Sequence, residues 1–236
     1  MDTPINQPVA EGGPEDQSRR DFLKRSAVAG AVAWSAPAIL SLPGGMSWAA
    51  HYPCPCPNCD AQAAAARIGG STLAGADNQC TCVVNASLSA GTPSLTAQVA
   101  CAEADDEHCT ARTFLEGVRI QIAENTFITA TTLSSCVTCG EGDAFVADLA
   151  LEVDGLSTKL QIDGTCNATV LGLEGLATAV FNEQQCDNGV LTVNALRITV
   201  DGVDVIVGQS RAGGTGCPCQ ACAADPRCEP PKQRLC

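Results

Sequence analysis

Sixteen cysteines, all beyond residue 53, set the terms on which this 236-residue chain folds. They stand at Cys54, Cys56, Cys59, Cys80, Cys82, Cys101, Cys109, Cys136, Cys139, Cys166, Cys186, Cys217, Cys219, Cys222, Cys228 and Cys236. An even count at this density reads as a disulfide framework in an oxidising compartment, and as metal ligands or redox thiols in a reducing one. The compartment has to be settled first.

The amino-terminal residues speak to it. Ser18, Arg19, Arg20, Asp21, Phe22, Leu23 and Lys24 fill every position of a pattern that resembles the twin-arginine export signal. The following stretch, Ser26 to Leu42, is rich in Ala and Gly and is interrupted at Pro37, Pro43, Gly44 and Gly45. A spanning helix needs about 20 predominantly apolar residues, so a removable signal is expected rather than a stable membrane span. Ser47-Trp48-Ala49 puts small residues where a signal peptidase reads, which places cleavage between Ala49 and Ala50. The expected partner during export is the twin-arginine translocase, and the expected location is the extracellular space or the cell surface.

Without residues 1–49 the chain keeps 9 basic against 21 acidic residues, a net charge of −12. Binding to phosphate backbones or anionic headgroups depends on Lys and Arg neutralising phosphates, so nucleic acid is excluded as a partner. Tyr52, Phe114, Phe127, Phe145 and Phe181 are the only aromatics left, so the interior has to be built from Val, Ile, Leu and Ala.

Between the terminal cysteine clusters, strand patterns follow one another. In F-V-A-D-L-A-L-E-V-D-G, Leu149, Leu151 and Val153 alternate with Ala150, Glu152 and Asp154, the signature of a half-buried antiparallel strand. V-D-G at Val153 to Gly155, I-D-G at Ile162 to Gly164 and V-D-G at Val200 to Gly202 have the chemistry of two-residue hairpin turns. Ala61 to Arg67, A-Q-A-A-A-A-R, has the composition of a single helical turn. These patterns predict an all-β fold, an antiparallel β-sandwich with disulfide-rich terminal segments, with a β-barrel or β-solenoid as the alternative. The expected organisation is a signal at 1–49, a cysteine-rich segment at 50–67, a β domain at 68–213 and a cysteine-rich tail at 214–236.

C-P-C-P-N-C at Cys54, Cys56 and Cys59 is mirrored by C-P-C-Q-A-C at Cys217, Cys219 and Cys222. This repeat predicts that the two ends lie together and are joined by disulfides. The alternative is a metal or electron-transfer centre on those same six thiolates. The first reading requires no cofactor. Loop lengths suggest Cys101 with Cys109, Cys166 with Cys186, and Cys80 or Cys82 with a later strand.

No active site is evident. Val207 to Gly213, V-G-Q-S-R-A-G, has Ala212 where the nucleophile elbow of Ser210 requires glycine, and neither His51 nor His108 is a convincing base. Asp105, Asp106 and Glu107 form an acidic loop whose bland reading is solvation. The chain is therefore expected not to be an enzyme.

Leu171 to Gln184, with Asn182-Glu183-Gln184, and Leu191 to Gly213, with V-N-A-L around Asn194 and D-V-I-V-G, resemble the choice-of-anchor P family of exported actinobacterial proteins. The resemblance implies a secreted or surface-displayed β domain of unknown molecular function, and it implies no catalytic residues; as an exported module the chain is expected to meet a cell-envelope or protein partner. Read by themselves, Asn182, Glu183, Gln184 and Asn194 are hydrogen-bonding residues at turns and bends.

Overall fold

The computed structural model describes residues 56, 58–173, 177–223 and 228. The export residues Arg19, Arg20, Phe22, Leu23 and Lys24, the cleavage residues Ala49 and Ala50, and His51, Cys54 and Cys236 lie outside the described residues. Among the described residues there are thirteen strands and no helix. They are β1 (Asp60–Ile68), β2 (Ser71–Asp77), β3 (Cys80–Ser89), β4 (Ser94–Asp105), β5 (Thr110–Ala123), β6 (Thr126–Thr138) and β7 (Glu141–Ala147). The remainder are β8 (Ala150–Val153), β9 (Leu156–Lys159), β10 (Ala168–Leu173), β11 (Ala177–Asp187), β12 (Val190–Val200) and β13 (Val203–Gly213).

Two antiparallel sheets pack face to face as a β-sandwich, and neither closes into a barrel. One runs β10-β11-β12-β13-β1-β2, the other β3-β4-β5-β6-β8-β9 with β7 also paired to β6. The first and last strands are neighbours, in register from Asp60 with Gly213 to Ile68 with Val205. The segment Ala61 to Arg67 is therefore central strand, not a helical turn. It pairs on both sides, with β13 and β2, and Ala61, Ala63, Ala64, Ala65 and Ala66 are all buried. Tertiary pairing overrides the helix propensity of alanine here.

Two of the three Asp-Gly turns form as expected. Asp154-Gly155 and Asp201-Gly202 have positive φ at both residues and join β8 to β9 and β12 to β13. Asp163-Gly164 does not join paired strands; the Asp163 carboxylate instead accepts from the Thr165 amide and hydroxyl.

The long strands share one irregularity. In β5 the inward series is Ala111, Thr113, Leu115 and then Val118, Ile120, Ile122, so the buried parity changes partway along. The same step separates Leu133 from Ala130 in β6, Leu196 from Val193 in β12, Ser210 from Val207 in β13 and Ala66 from Ala63 in β1. A strand turns alternate side chains to opposite faces, so such a change marks a local break in the regular pleat, which a residue out of the β conformation can supply. Asn85, Gly117 and Asp148 supply it in one sheet, and Ala74, Gly208 and Asn182 in the other, each with φ between 46° and 67°. The ladders keep their register while skipping these residues and the ones opposite them, Gln98, Thr131, Ala65 and Ala195. A row of pleat reversals thus crosses each sheet, with the left-handed residue on alternate strands. Gly, Asn and Asp tolerate that conformation best, and Ala74 is the exception.

The row divides the interior. On one side lies a core with Ile68, Leu95, Ile120, Ile128, Leu196 and Ile198, which reaches across the row to Leu115 and Leu133. On the other lies a smaller core in which Ala61, Ala63, Ala76, Ala102, Ala104, Ala111 and Ala212 surround Val137, Leu191 and Val193. Between them the hydroxyls of Thr113, Ser135 and Ser210 form a buried chain, 2.7 and 2.6 Å apart. A Cβ at Gly208 would stand 2.9 Å from the Ala195 side chain and 3.1 Å from the Thr113 hydroxyl, so this position excludes larger residues.

Ala74→Gly and Ala65→Gly test the row. Relieving left-handed alanine returns roughly 1–2 kcal/mol, against roughly 0.5–1 kcal/mol for the added chain entropy of glycine. Ala65, without positive φ, has only the losses. Thermal melts are expected to show an unchanged or raised Tm for Ala74→Gly and a lowered one for Ala65→Gly; equal losses would refute the conformational argument.

Candidate functional site: the cysteine-linked end

All fourteen described cysteines are in disulfides. Cys56 pairs with Cys217, Cys59 with Cys109, Cys82 with Cys101, Cys136 with Cys228, Cys166 with Cys222 and Cys186 with Cys219. Cys80 and Cys139 are also bridged. The two ends do lie together, through a Cys56–Cys217 bridge that spans 161 residues of sequence. The other tail cysteines reach into the body: Cys219 to the end of β11, Cys222 to Cys166, two residues before β10, and Cys228 to β6.

Of the pairings expected from loop length, Cys82 with a later strand forms, as Cys82–Cys101 between β3 and β4, while Cys101–Cys109 and Cys166–Cys186 are replaced by longer ones. Cys101 and Cys109 lie at opposite ends of the β4–β5 hairpin's outer stretch, and each has a nearer partner: Cys82 stands opposite Cys101 in the β3–β4 ladder, and Cys59 approaches Cys109 from β1. Cys166 and Cys186 both turn to the tail instead of to each other. The six terminal thiolates weighed as one metal centre are correspondingly dispersed. Cys56 and Cys217 stay together, Cys59 joins Cys109, Cys219 and Cys222 turn to separate partners, Cys186 and Cys166, and Cys54 lies outside the described residues.

Every described cysteine falls on the alanine-rich side of the pleat-reversal row. The backbone there is drawn unusually close. A Cβ on Gly140 would overlap the Pro218 carbonyl, and one on Gly214 would overlap the Asn58 carbonyl. The Gln220 amide donates to the Gly140 carbonyl at 3.0 Å, so the tail runs directly over the β6–β7 turn.

Asn182 and Gln184, from the N-E-Q element, are buried in this end and act as a latch. The Gln184 side chain donates to the Gly142 carbonyl at 3.0 Å and to Asn182 Oδ1 at 2.9 Å, and its oxygen accepts the Cys222 amide at 2.8 Å. Asn182 Nδ2 donates to Asp143 Oδ1 at 2.9 Å, while Asn167 Oδ1 accepts the Gln184 amide. The latch thus joins β11 of one sheet to β7 of the other and to the tail. Asp143 and Cys222 carry no sequence signal for this role, because their partner is reached only through the fold.

Glu183 points the other way, onto the exposed face of its sheet. It accepts from Asn194 at 2.7 Å and from Arg197 at 2.8 Å; Arg197 also binds Asp204, which accepts from Thr199. The guanidinium of Arg197 holds the Asp204 carboxyl below its ordinary range despite partial burial, and the two carboxylates raise Arg197 above its own. These groups are a quarter to two-fifths exposed, so the lattice links three strands, β11, β12 and β13, while each pair contributes at most about 1 kcal/mol.

The remaining candidates are occupied by the fold. Ser210 is fully buried, its hydroxyl against Ser135 and Thr113, with no imidazole beside it among the described residues. In the acidic loop, Asp106 Oδ1 accepts the Ala61 amide at 2.7 Å and Asp105 binds His108 Nδ1 at 2.6 Å, a contact that raises the imidazole pKa. Glu107 is exposed. Among the described residues, the metal-ligating groups that converge are sulfurs, those of Cys56, Cys59 and Cys109.

Two outcomes are expected from this arrangement. Gln184→Ala leaves the Gly142 carbonyl and the Cys222 amide without their partner and is expected to cost about 2–3 kcal/mol, with earlier proteolysis of the tail. Gentle reduction is expected to speed hydrogen exchange first at Ala100–Thr113 and Leu191–Val193, while Val118–Ala130 and Leu196–Val207 stay protected. Uniform loss of protection would show that the bridges hold the whole sandwich equally.

Compared with protein families, curated proteins and solved structures, the chain finds no match.

Proposed function

We propose that this chain is an exported, disulfide-clamped β-sandwich that works outside the cytoplasm, secreted or at the cell surface, as a non-enzymatic structural or interaction module. The observation that carries the reading is that every described cysteine is bridged, and that one bridge joins the amino- and carboxyl-terminal segments to each other while four tie them to the body. Such a set persists in an oxidising environment and resists unfolding where no chaperone is at hand. The Arg19-Arg20 pattern supplies the route, through the twin-arginine translocase. The resemblance to the choice-of-anchor P family agrees with display at the surface, and the acidic exterior agrees with solubility there. The occupied state of Ser210 and of the acidic loop favours a module over a hydrolase.

The intact mass of the exported protein tests this reading. The expected product begins at Ala50 and resists alkylation at all sixteen cysteines until it is reduced. A product that retains the Arg-Arg segment, or that alkylates without reduction, overturns it.

A further inference from the structure

We infer that Cys56, Cys59, Cys109 and Cys217 form a tetrathiolate site for a soft divalent cation, zinc by its chemistry, when the chain is reduced. The sulfurs of Cys56, Cys59 and Cys109 all lie within 4.8 Å of one another, and Cys217 is bonded to Cys56. Zinc bound by four cysteines at about 2.3 Å requires sulfurs about 3.8 Å apart in a tetrahedron, so on reduction the two bridged pairs, Cys56 with Cys217 and Cys59 with Cys109, move apart while the Cys56 sulfur already lies within 4.8 Å of those of Cys59 and Cys109. Cys56-Pro57-Asn58-Cys59 has the two-residue spacing of a chelating pair. The site departs from the six terminal thiolates suggested by the repeat: Cys109 enters from the β4–β5 turn, and Cys219 and Cys222 leave.

The four positions are set by backbone that does not depend on the bridges. Cys59 immediately precedes β1, whose Asp60 pairs with Gly213 at the end of β13. The Ala61 amide donates to Asp106, and the Cys109 amide donates to the Asp106 carbonyl, which fixes the β4–β5 turn against β1. The Cys217 amide donates to the Gly214 carbonyl, and the missing Cβ of Gly214 admits the Asn58 carbonyl. Cys109 and Cys217 are buried and Cys56 and Cys59 partly so, which limits competition from water.

Metal and disulfides exclude each other at these sulfurs. One zinc tetrathiolate reacting with two molecules of a small disulfide oxidant yields the Cys56–Cys217 and Cys59–Cys109 bridges, four thiolates of the reduced oxidant and free zinc; charge and electrons balance. The site would hold the two ends together in a chain folded before export, and would pass that role to the bridges outside. That setting rests on the export reading, whereas metal binding by the reduced chain does not.

The test uses the full chain, reduced with a phosphine under argon and titrated with cobalt(II), then zinc. One cobalt per chain with thiolate charge-transfer and tetrahedral ligand-field bands, displaced by one zinc, is expected, and the oxidised chain should take up neither. Cys109→Ser is expected to weaken binding by more than the roughly 10–100-fold that losing a ligand's hydrogen-bond partner costs. Cys186→Ser should leave it unchanged, and Cys109→His, which restores a ligand but no bridge, should recover it. Absence of a stoichiometric band, or equal loss in Cys109→Ser and Cys186→Ser, overturns the site. Failure of the export reading would appear instead in the amino terminus of the secreted product.

Discussion

The pleat reversal that crosses both sheets is the constraint on which the remaining architecture depends. A strand that obeyed strict alternation from end to end would bury one parity throughout. Here Leu115 and Val118, or Val193 and Leu196, face inward from opposite parities, and each strand needs its neighbours to change face at the same level. A reversal in one strand alone would drive a row of apolar side chains into solvent and polar ones into the core. The alignment of Asn182, Ala195, Gly208, Ala65 and Ala74, and of Asn85, Gln98, Gly117, Thr131 and Asp148, is therefore a cooperative requirement. It also explains why β7 and β8 are separate strands: both pair with β6 along one line, interrupted at Asp148.

The two halves made by this row are stabilised differently. One is built mainly from Leu, Ile and Val, and burying each such side chain contributes about 1.5–3 kcal/mol. The other is lined mainly by alanine, whose methyl groups bury less area, and is closed off by the Thr113–Ser135–Ser210 hydroxyls. Its sheets approach closely because the side chains between them are small. All described bridges lie in that half, where the apolar contribution is weakest, and each contributes about 2–4 kcal/mol in the chain-entropy account. Cross-linking and hydrophobic burial thus occupy complementary ends of one sandwich. The Gln184 latch belongs with the bridges: it is the polar means by which the same end holds its tail.

Much of the fold was legible because period-two alternation and Asp-Gly turns are local signals. Leu149, Leu151 and Val153 face inward as expected, and two of the three Asp-Gly pairs make hairpins. The reversal row was not legible as a row, although it left traces: Asn194, next to the row residue Ala195, interrupts the apolar pattern of its strand, and Gly208 sits amid V-G-Q-S. Its alignment depends on register between strands distant in sequence, which no single segment encodes. The alanine run of β1 misled for the same reason, since its strand state comes from pairing with β13 and β2. Disulfide partners were legible only in part: Cys82 does join a later strand, but loop length favoured Cys101 with Cys109, whereas the hairpin puts Cys82 across from Cys101 and leaves Cys109 at the turn, facing Cys59. The N-E-Q element was legible as hydrogen-bonding residues and illegible as a latch, because Gly142, Asp143 and Cys222 come from elsewhere in the chain.

The placement of the cysteines bears on the order in which the molecule is completed. β1 and β13 pair only after nearly the whole chain is available, so the end that carries both termini closes last in any route that forms local hairpins first. The Cys56–Cys217 bridge encloses the entire sandwich and becomes possible only at that closure, whereas Cys82–Cys101 stands within a single hairpin and requires nothing else. A native-like sandwich with open thiols is therefore a reasonable stage for this topology. At that stage the Leu- and Ile-rich half already supplies the apolar contacts, and the alanine-rich half waits on whatever joins its sulfurs. Whether metal or oxidant joins them first is then a matter of compartment, since the backbone hydrogen bonds around Asp106 and Gly214 bring the same four cysteines together in either case.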